Sequence, residues 1–225
     1  MIPYKLIRSR RKTVAIYITE DAMVEVRAPL QMSKIDIDKF ILSKEKWIID
    51  NHEKRKQQCI EKAAFALHYG DNVSLGGKQY TIIAKEGNNA GFDGEHFYLP
   101  AGLMPENIKY AVVRIYKAVA KSLLTAKTNQ FASRMMVKPA AIKISSAKTR
   151  WGSCSGKNNI NYSWRLIMAD NEVIDYVVVH ELAHIKEHNH SSRFWAIVES
   201  ILPDYLSCKS RLKVLQDKLS RENWE

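Results

Sequence analysis

Residues 177–190 read VVVHELAHIKEHNH, a run of helical character that carries two histidines four positions apart. His180, Glu181 and His184 form the HExxH arrangement. Four residues are about one turn, a rise of roughly 6 Å, so both imidazoles leave the same face and can converge on one ion about 2.0–2.1 Å from each nitrogen. Glu181 lies one step round the helix, beside such an ion without being forced to ligate it. That is where a general base for a metal-activated water belongs. Its neighbours Val178, Val179, Leu182 and Ala183 are apolar, so an unpartnered carboxylate there is costly.

Two histidines make a weak site, and a catalytic zinc usually takes three protein ligands plus water. His188 lies roughly 12 Å in rise from His180 and cannot reach the same ion while the helix continues. His190 can, provided the chain reverses after His188. Asn189 tolerates the left-handed conformation that stops helices, and Ser191 or Ser192 can cap the next one. His190 is therefore preferred, with His188 in reserve and Glu199 on the following helix as a carboxylate alternative. Imidazole suits several transition metals, and three histidines with an open position favour zinc.

Working outward, residues 172–188 read as one helix, and FWAIVESIL and DYLSCKSRLKVLQDKL as two more, split at Pro203. Upstream, a long amphipathic helix is expected from Glu106 to about Met135, with Ile108, Val112, Ile115, Val119 and Leu123 on its apolar side. AAIKIS and NINYSWRLI are strand candidates, and either could align an extended peptide by main-chain pairing. Residues 13–18 and 23–27 read as a hairpin, a helix begins at Ser33, and the glycine-punctuated stretch from Asn72 to Pro100 reads as a small meander. Pro100, Gly102 and Pro105 mark the expected boundary, giving a β-rich region with one helix over 1–104 and a mostly helical domain over 105–225. The fold class expected is α+β.

The chain has 225 residues, 46% of them hydrophobic, enough for a real core. Three cysteines, Cys59, Cys154 and Cys208, are too few and too scattered for a disulfide framework, and no Cys-x-x-Cys occurs. No signal-peptide pattern opens the sequence and no run is long and apolar enough to span a bilayer, so no membrane partner is expected and the cytoplasm is the expected location. The net charge is +11, and residues 107–165 carry twelve Lys or Arg with no Asp or Glu. That segment could be a solvated face or a surface for an anionic partner such as nucleic acid.

Two long motifs, TRWGSCSGKNNINYSWRLI at 149–167 and DYVVVHELAHIKEHNHSSRFW at 175–195, resemble the YgjP-like family of zinc metallopeptidases, related to SprT-like and minimal zincin proteases. SRRKTVAIYI, VRAPL and the Trp47-Ile48 pair extend the resemblance over nearly the whole chain. It implies an N-terminal β-rich region followed by a zincin-like domain in which His180, His184 and His190 hold Zn2+. It also implies cleavage of peptide or unfolded protein with Glu181 as the general base. The relation to SprT-like proteases adds an alternative, a protease recruited to DNA-bound protein. Arg150, Tyr162, Trp164 and Tyr205 have the right chemistry to steady a developing oxyanion. Sequence alone places none of them.

Overall fold

The computed structural model describes residues 2–225. It is α+β, with six α-helices and three small sheets. The chain divides into two units, Met1–Phe65 with Leu219–Asn223, and Ala66–Lys218 with Trp224–Glu225.

In the first unit, alternation along β3 (Val24–Pro29) turns Val24, Val26 and Ala28 inward. β2 (Ala15–Ile18) pairs antiparallel with it, as the hairpin pattern predicts, and β1 (Lys5–Ser9) adds a parallel strand on the other side. Ile37, Ile41 and Ile48 cover this sheet face. The helical stretch from Ser33 is two helices, α1 (Lys34–Ser43) and α2 (Glu45–Ala64), interrupted at Lys44. Ser33 caps the first by accepting from the Asp36 amide.

The second unit opens with β4 (Asn72–Leu75), β5 (Lys78–Lys85), β6 (Gly91–Phe92) and β7 (His96–Pro100). Their order is β4-β5-β7-β6 with β5 and β7 parallel, so the expected meander is not one. α3 (Pro105–Met135) comes next, with proline in its first turn and left-handed Met136 (φ 52°) ending it. Phe97, Tyr116 and Trp164 form a buried column at centroid spacings of 5.2 and 5.4 Å, and Trp224 meets the last two edge-on. The Gly76 amide donates to the Ile167 carbonyl, and Tyr116 donates to the Ser74 carbonyl. These contacts join residues 66–104 to α3 and to the segment around Trp164, so the boundary expected after residue 104 falls inside the second unit.

β8 (Ala141–Ser145), β9 (Gly152–Cys154) and β10 (Asn159–Ser163) form a sheet in the order β8-β10-β9. The end of NINYSWRLI leaves the strand and makes a 3₁₀ turn over Trp164–Met168, all five residues buried. α4 (Asn171–Ala183), α5 (Ser192–Ile201) and α6 (Tyr205–Leu219) complete the chain. Asp170 caps α4 through the Val173 amide.

The turn between β4 and β5 bears directly on that cap. Gly77 has φ +79°, and a β-carbon there would lie 2.7 Å from the Asp170 β-carbon and 2.9 Å from its α-carbon. Both the backbone conformation and the space exclude a side chain. Gly77→Ala is expected to cost about 2–3 kcal/mol, lowering the thermal midpoint by roughly 5 °C or more, as read by circular dichroism. Among the described residues no helix is long and apolar enough to cross a membrane.

Candidate metal centre

α4 is apolar on nearly every side because it is packed on nearly every side. Nine of its residues are buried, Glu181 among them at 6% exposure. The helix stops at Ala183, five residues before the expected end at 188. His184 makes the cap, and the Ile185, Lys186 and Glu187 amides fold back onto the Leu182 and Ala183 carbonyls. Asn189 is not left-handed. Its side chain instead accepts from the Ser191 amide at 3.0 Å, and Ser191 accepts from the Phe194 amide to start α5.

This reversal gathers His180, His184 and His190, with one nitrogen from each lying within 4.8 Å of the others. The Nε2 atoms of His180 and His190 face each other at 3.1 Å. His184 Nδ1 lies 3.1 Å from the Glu187 carbonyl oxygen, so a proton on Nδ1 leaves Nε2 with its lone pair. Among the described residues neither His188 nor Glu199 belongs to the group. Phe194 touches all three rings at 4.5–4.9 Å, a packing partner that only the completed turn brings there. Trp195 stacks on His190 at 5.7 Å.

Burial is the main force on the site's protonation. It drives His180 down to about 3, helped by His184, His190 and Lys209, and it lowers His184 as well. Both imidazoles are thereby neutral near pH 7, the form that ligates a metal. The same burial pushes Glu181 up to about 7, partly offset by the Arg150 charge.

The Glu181 carboxylate is seated against β9. A β-carbon on Gly152 would lie 2.6 Å from both its Cγ and its Oε1, so only glycine leaves room. This glycine lies inside the RWGSC motif, where nothing in the residue spacing points to a role for it. Of the candidate oxyanion donors, Tyr162 and Trp164 are fully buried, the former hydrogen-bonded to Thr128, the latter stacked on Tyr116. Arg150 is exposed, two residues before Gly152, and Tyr205 stacks on Trp195. Cys154 is half-buried on β9 with its thiol raised by burial, which disfavours the thiolate a metal requires.

β10 lies between β8 and β9, so both its edges are taken and it is not free to pair with a peptide. β9 has one open edge and packs on α4. The twelve basic residues of 107–165 are not one surface either. Lys127 pairs with Asp175, Lys148 with Glu225, and Arg165 is buried over Trp164.

Glu181→Gln separates the cost of burying this acid from its chemistry. The folded carboxyl binds its proton up to about pH 7, the unfolded one only to about its usual 4.5, so the folded state holds more protons between those values and loses stability as pH rises through them. His180 works in the opposite direction between about 6.5 and 3, but equally in both proteins. After chelator treatment, urea unfolding should find Glu181→Gln about 3 kcal/mol more stable than wild type at pH 8, with the two converging at pH 4.

None of the curated proteins matches this chain. Among solved structures, the metallopeptidase zymogen abylysin of Pyrococcus abyssi aligns at 24% identity over 44% of this chain and 98% of that one, with a TM-score of 0.39. The model of the YgjP-like metallopeptidase domain matches residues 12–215, which takes in both units and every residue of the histidine group. The chain therefore belongs to the YgjP-like family and carries its metallopeptidase domain.

Proposed function

We propose that the protein is a zinc-dependent endopeptidase acting on extended or unfolded polypeptide, with His180, His184 and His190 as the metal ligands and Glu181 as the general base. The observation that carries this reading is the convergence of three imidazole nitrogens within 4.8 Å beside a buried carboxylate. The donor set fits a zinc ion: His180 and His184 are neutral, and three nitrogen ligands leave a coordination position open. Bound there, zinc would supply a Lewis acid that acidifies water and polarises the scissile carbonyl.

The protein's own groups do the rest. Glu181 takes a proton from the attacking water on its carboxylate and returns it to the leaving amide nitrogen. A carboxyl held near pH 7 is suited to both tasks. Gly152 fixes where that carboxylate sits, and the open edge of β9 offers backbone groups to an extended substrate. Phe194 and Trp195 wall the histidines with apolar surface, which strengthens charge interactions within the site.

The test is metal removal and return. Chelation should abolish cleavage of a quenched fluorescent peptide, and one equivalent of zinc per chain should restore it. Activity that survives complete removal of metal sinks the reading. A second reading, an anion-binding face, rests on Arg114, Lys117 and Lys121, exposed along α3 at spacings of three and four. It calls for DNA binding that weakens steeply with salt.

A further inference from the structure

Tyr205 and Lys209 lie four residues apart on α6, so they share a face. The Tyr205 ring stacks on Trp195 at 5.3 Å and 17°, and the Lys209 ammonium lies 5.2 Å from the centre of the same indole. Trp195 in turn stacks on His190 and meets His180 at 5.9 Å. Lys209 is thus one aromatic ring away from the histidine group. The indole under it restrains an otherwise loose ammonium.

A second cation acts on Glu181 through its charge. Arg150 precedes by two residues the glycine whose backbone abuts the carboxylate, and its charge reaches Glu181. Two of the neighbouring cations are engaged, Lys148 with Glu225 and Arg211 with Asp170 and Glu172. Lys209 and Arg150 are exposed, and among the described residues neither has a carboxylate within ion-pair distance. Two positive charges without an ion-pair partner therefore border a site in which His180 and His184 are neutral.

We propose that Lys209 and Arg150 make this site select substrates that present a carboxylate close to the scissile bond, whether an acidic side chain or the substrate's own C-terminus. The inference rests on the peptidase reading above and deepens it by naming a substrate class. Lys209 and Arg150 are specificity residues here. They supply a field that rewards negative charge in the bound peptide, and a carboxylate reaching either one exchanges a hydrated partner for a fixed one.

Three peptides of equal length test this on the full-length, zinc-loaded protein: one neutral and amidated, one amidated with glutamates flanking the cleaved bond, and one neutral with a free C-terminus close to that bond. At low salt, at least one carboxylate peptide should exceed the neutral one about five- to tenfold in kcat/KM, the size expected for a pair of partly exposed ion contacts. Which of the two does so identifies the carboxylate's source. The ratio should fall to near one in the Lys209→Gln, Arg150→Gln double variant, be kept by Lys209→Arg, and shrink on going to about 0.5 M salt. Equal turnover of all three peptides by wild type overturns the proposal, as does a preference that persists in the double variant.

Binding of the same peptides to zinc-loaded Glu181→Gln, read by fluorescence anisotropy, keeps the two ideas separate. A carboxylate preference in binding that the Lys209 and Arg150 substitutions remove upholds the proposal even if no peptide is cleaved. Indifferent binding counts against it even if all are cleaved.

Discussion

Glu181→Gln is expected to reduce kcat/KM for peptide cleavage by about 10³-fold while the protein still binds one zinc per chain. Glutamine keeps the size and shape of the side chain, so the seat against Gly152 is filled as before. What disappears is the ability to accept a proton at pH 7, and a positioned general base is worth on the order of 10²–10⁴ in rate. The three imidazoles are untouched, so metal analysis should return the wild-type stoichiometry. The same protein is expected to be the more stable one at pH 8 when stripped of metal. Loss of activity together with gain of stability marks a residue kept for chemistry at the expense of the fold. Cleavage at the wild-type rate by a zinc-loaded Glu181→Gln protein would remove Glu181 from the mechanism.

His190→Ala should have the other large effect, on the metal itself. His180 lies on a helix held by buried neighbours and His184 caps it one turn later, but His190 comes from the reversal between α4 and α5 and is exposed. Its removal leaves a two-histidine site with no third ligand from the protein. Among the described residues, no other His, Cys, Asp or Glu joins the group. Zinc affinity is expected to fall by more than about 100-fold, beyond the loss seen when only a supporting partner of a ligand is removed. Competition against a chromophoric chelator measures it directly. His188→Ala, two residues away and outside the group, should retain zinc. The reverse outcome, zinc lost with His188 and kept without His190, would place the third ligand on the wrong side of Asn189.

The pair of variants also marks how far the residues alone could lead. HExxH was legible because a helix converts a spacing of four into a shared face, with no knowledge of the rest of the chain. The third histidine was legible only as a choice that depended on a chain reversal, and the reversal came earlier and by another device than the sequence suggested. Ile185, Lys186 and Glu187 are acceptable helix residues, so nothing local announces the stop at Ala183. The stop is visible only in the fold, where the Ile185, Lys186 and Glu187 amides turn back and the three imidazoles pack around Phe194.

Strand pairing was hidden for a related reason. The pattern of residues 13–27 predicted the hairpin, because a short connection leaves little choice of partner. The parallel pairings β1 with β3 and β5 with β7 join strands separated by longer stretches, and alternation along a strand does not say which neighbour it takes. β9, at three residues, is too short to carry a period at all, yet it holds the one glycine that touches Glu181. Arg150 was legible only as a residue of suitable chemistry with no place, and Lys209 not at all, because only the fold sets Lys209 one ring away from the histidines.

Gly152 does not have the positive φ that makes many glycines irreplaceable. Its backbone would accept alanine, and the objection comes wholly from the side chain at position 181. The two positions should therefore covary among relatives. A lineage that keeps the glutamate must keep the glycine, and one whose base has been lost or shortened is released to place a larger residue there. A glycine at 152 is then a marker of retained chemistry that could be scored across genomes independently of the HExxH motif, separating working peptidases from relatives that have kept the histidines for another purpose.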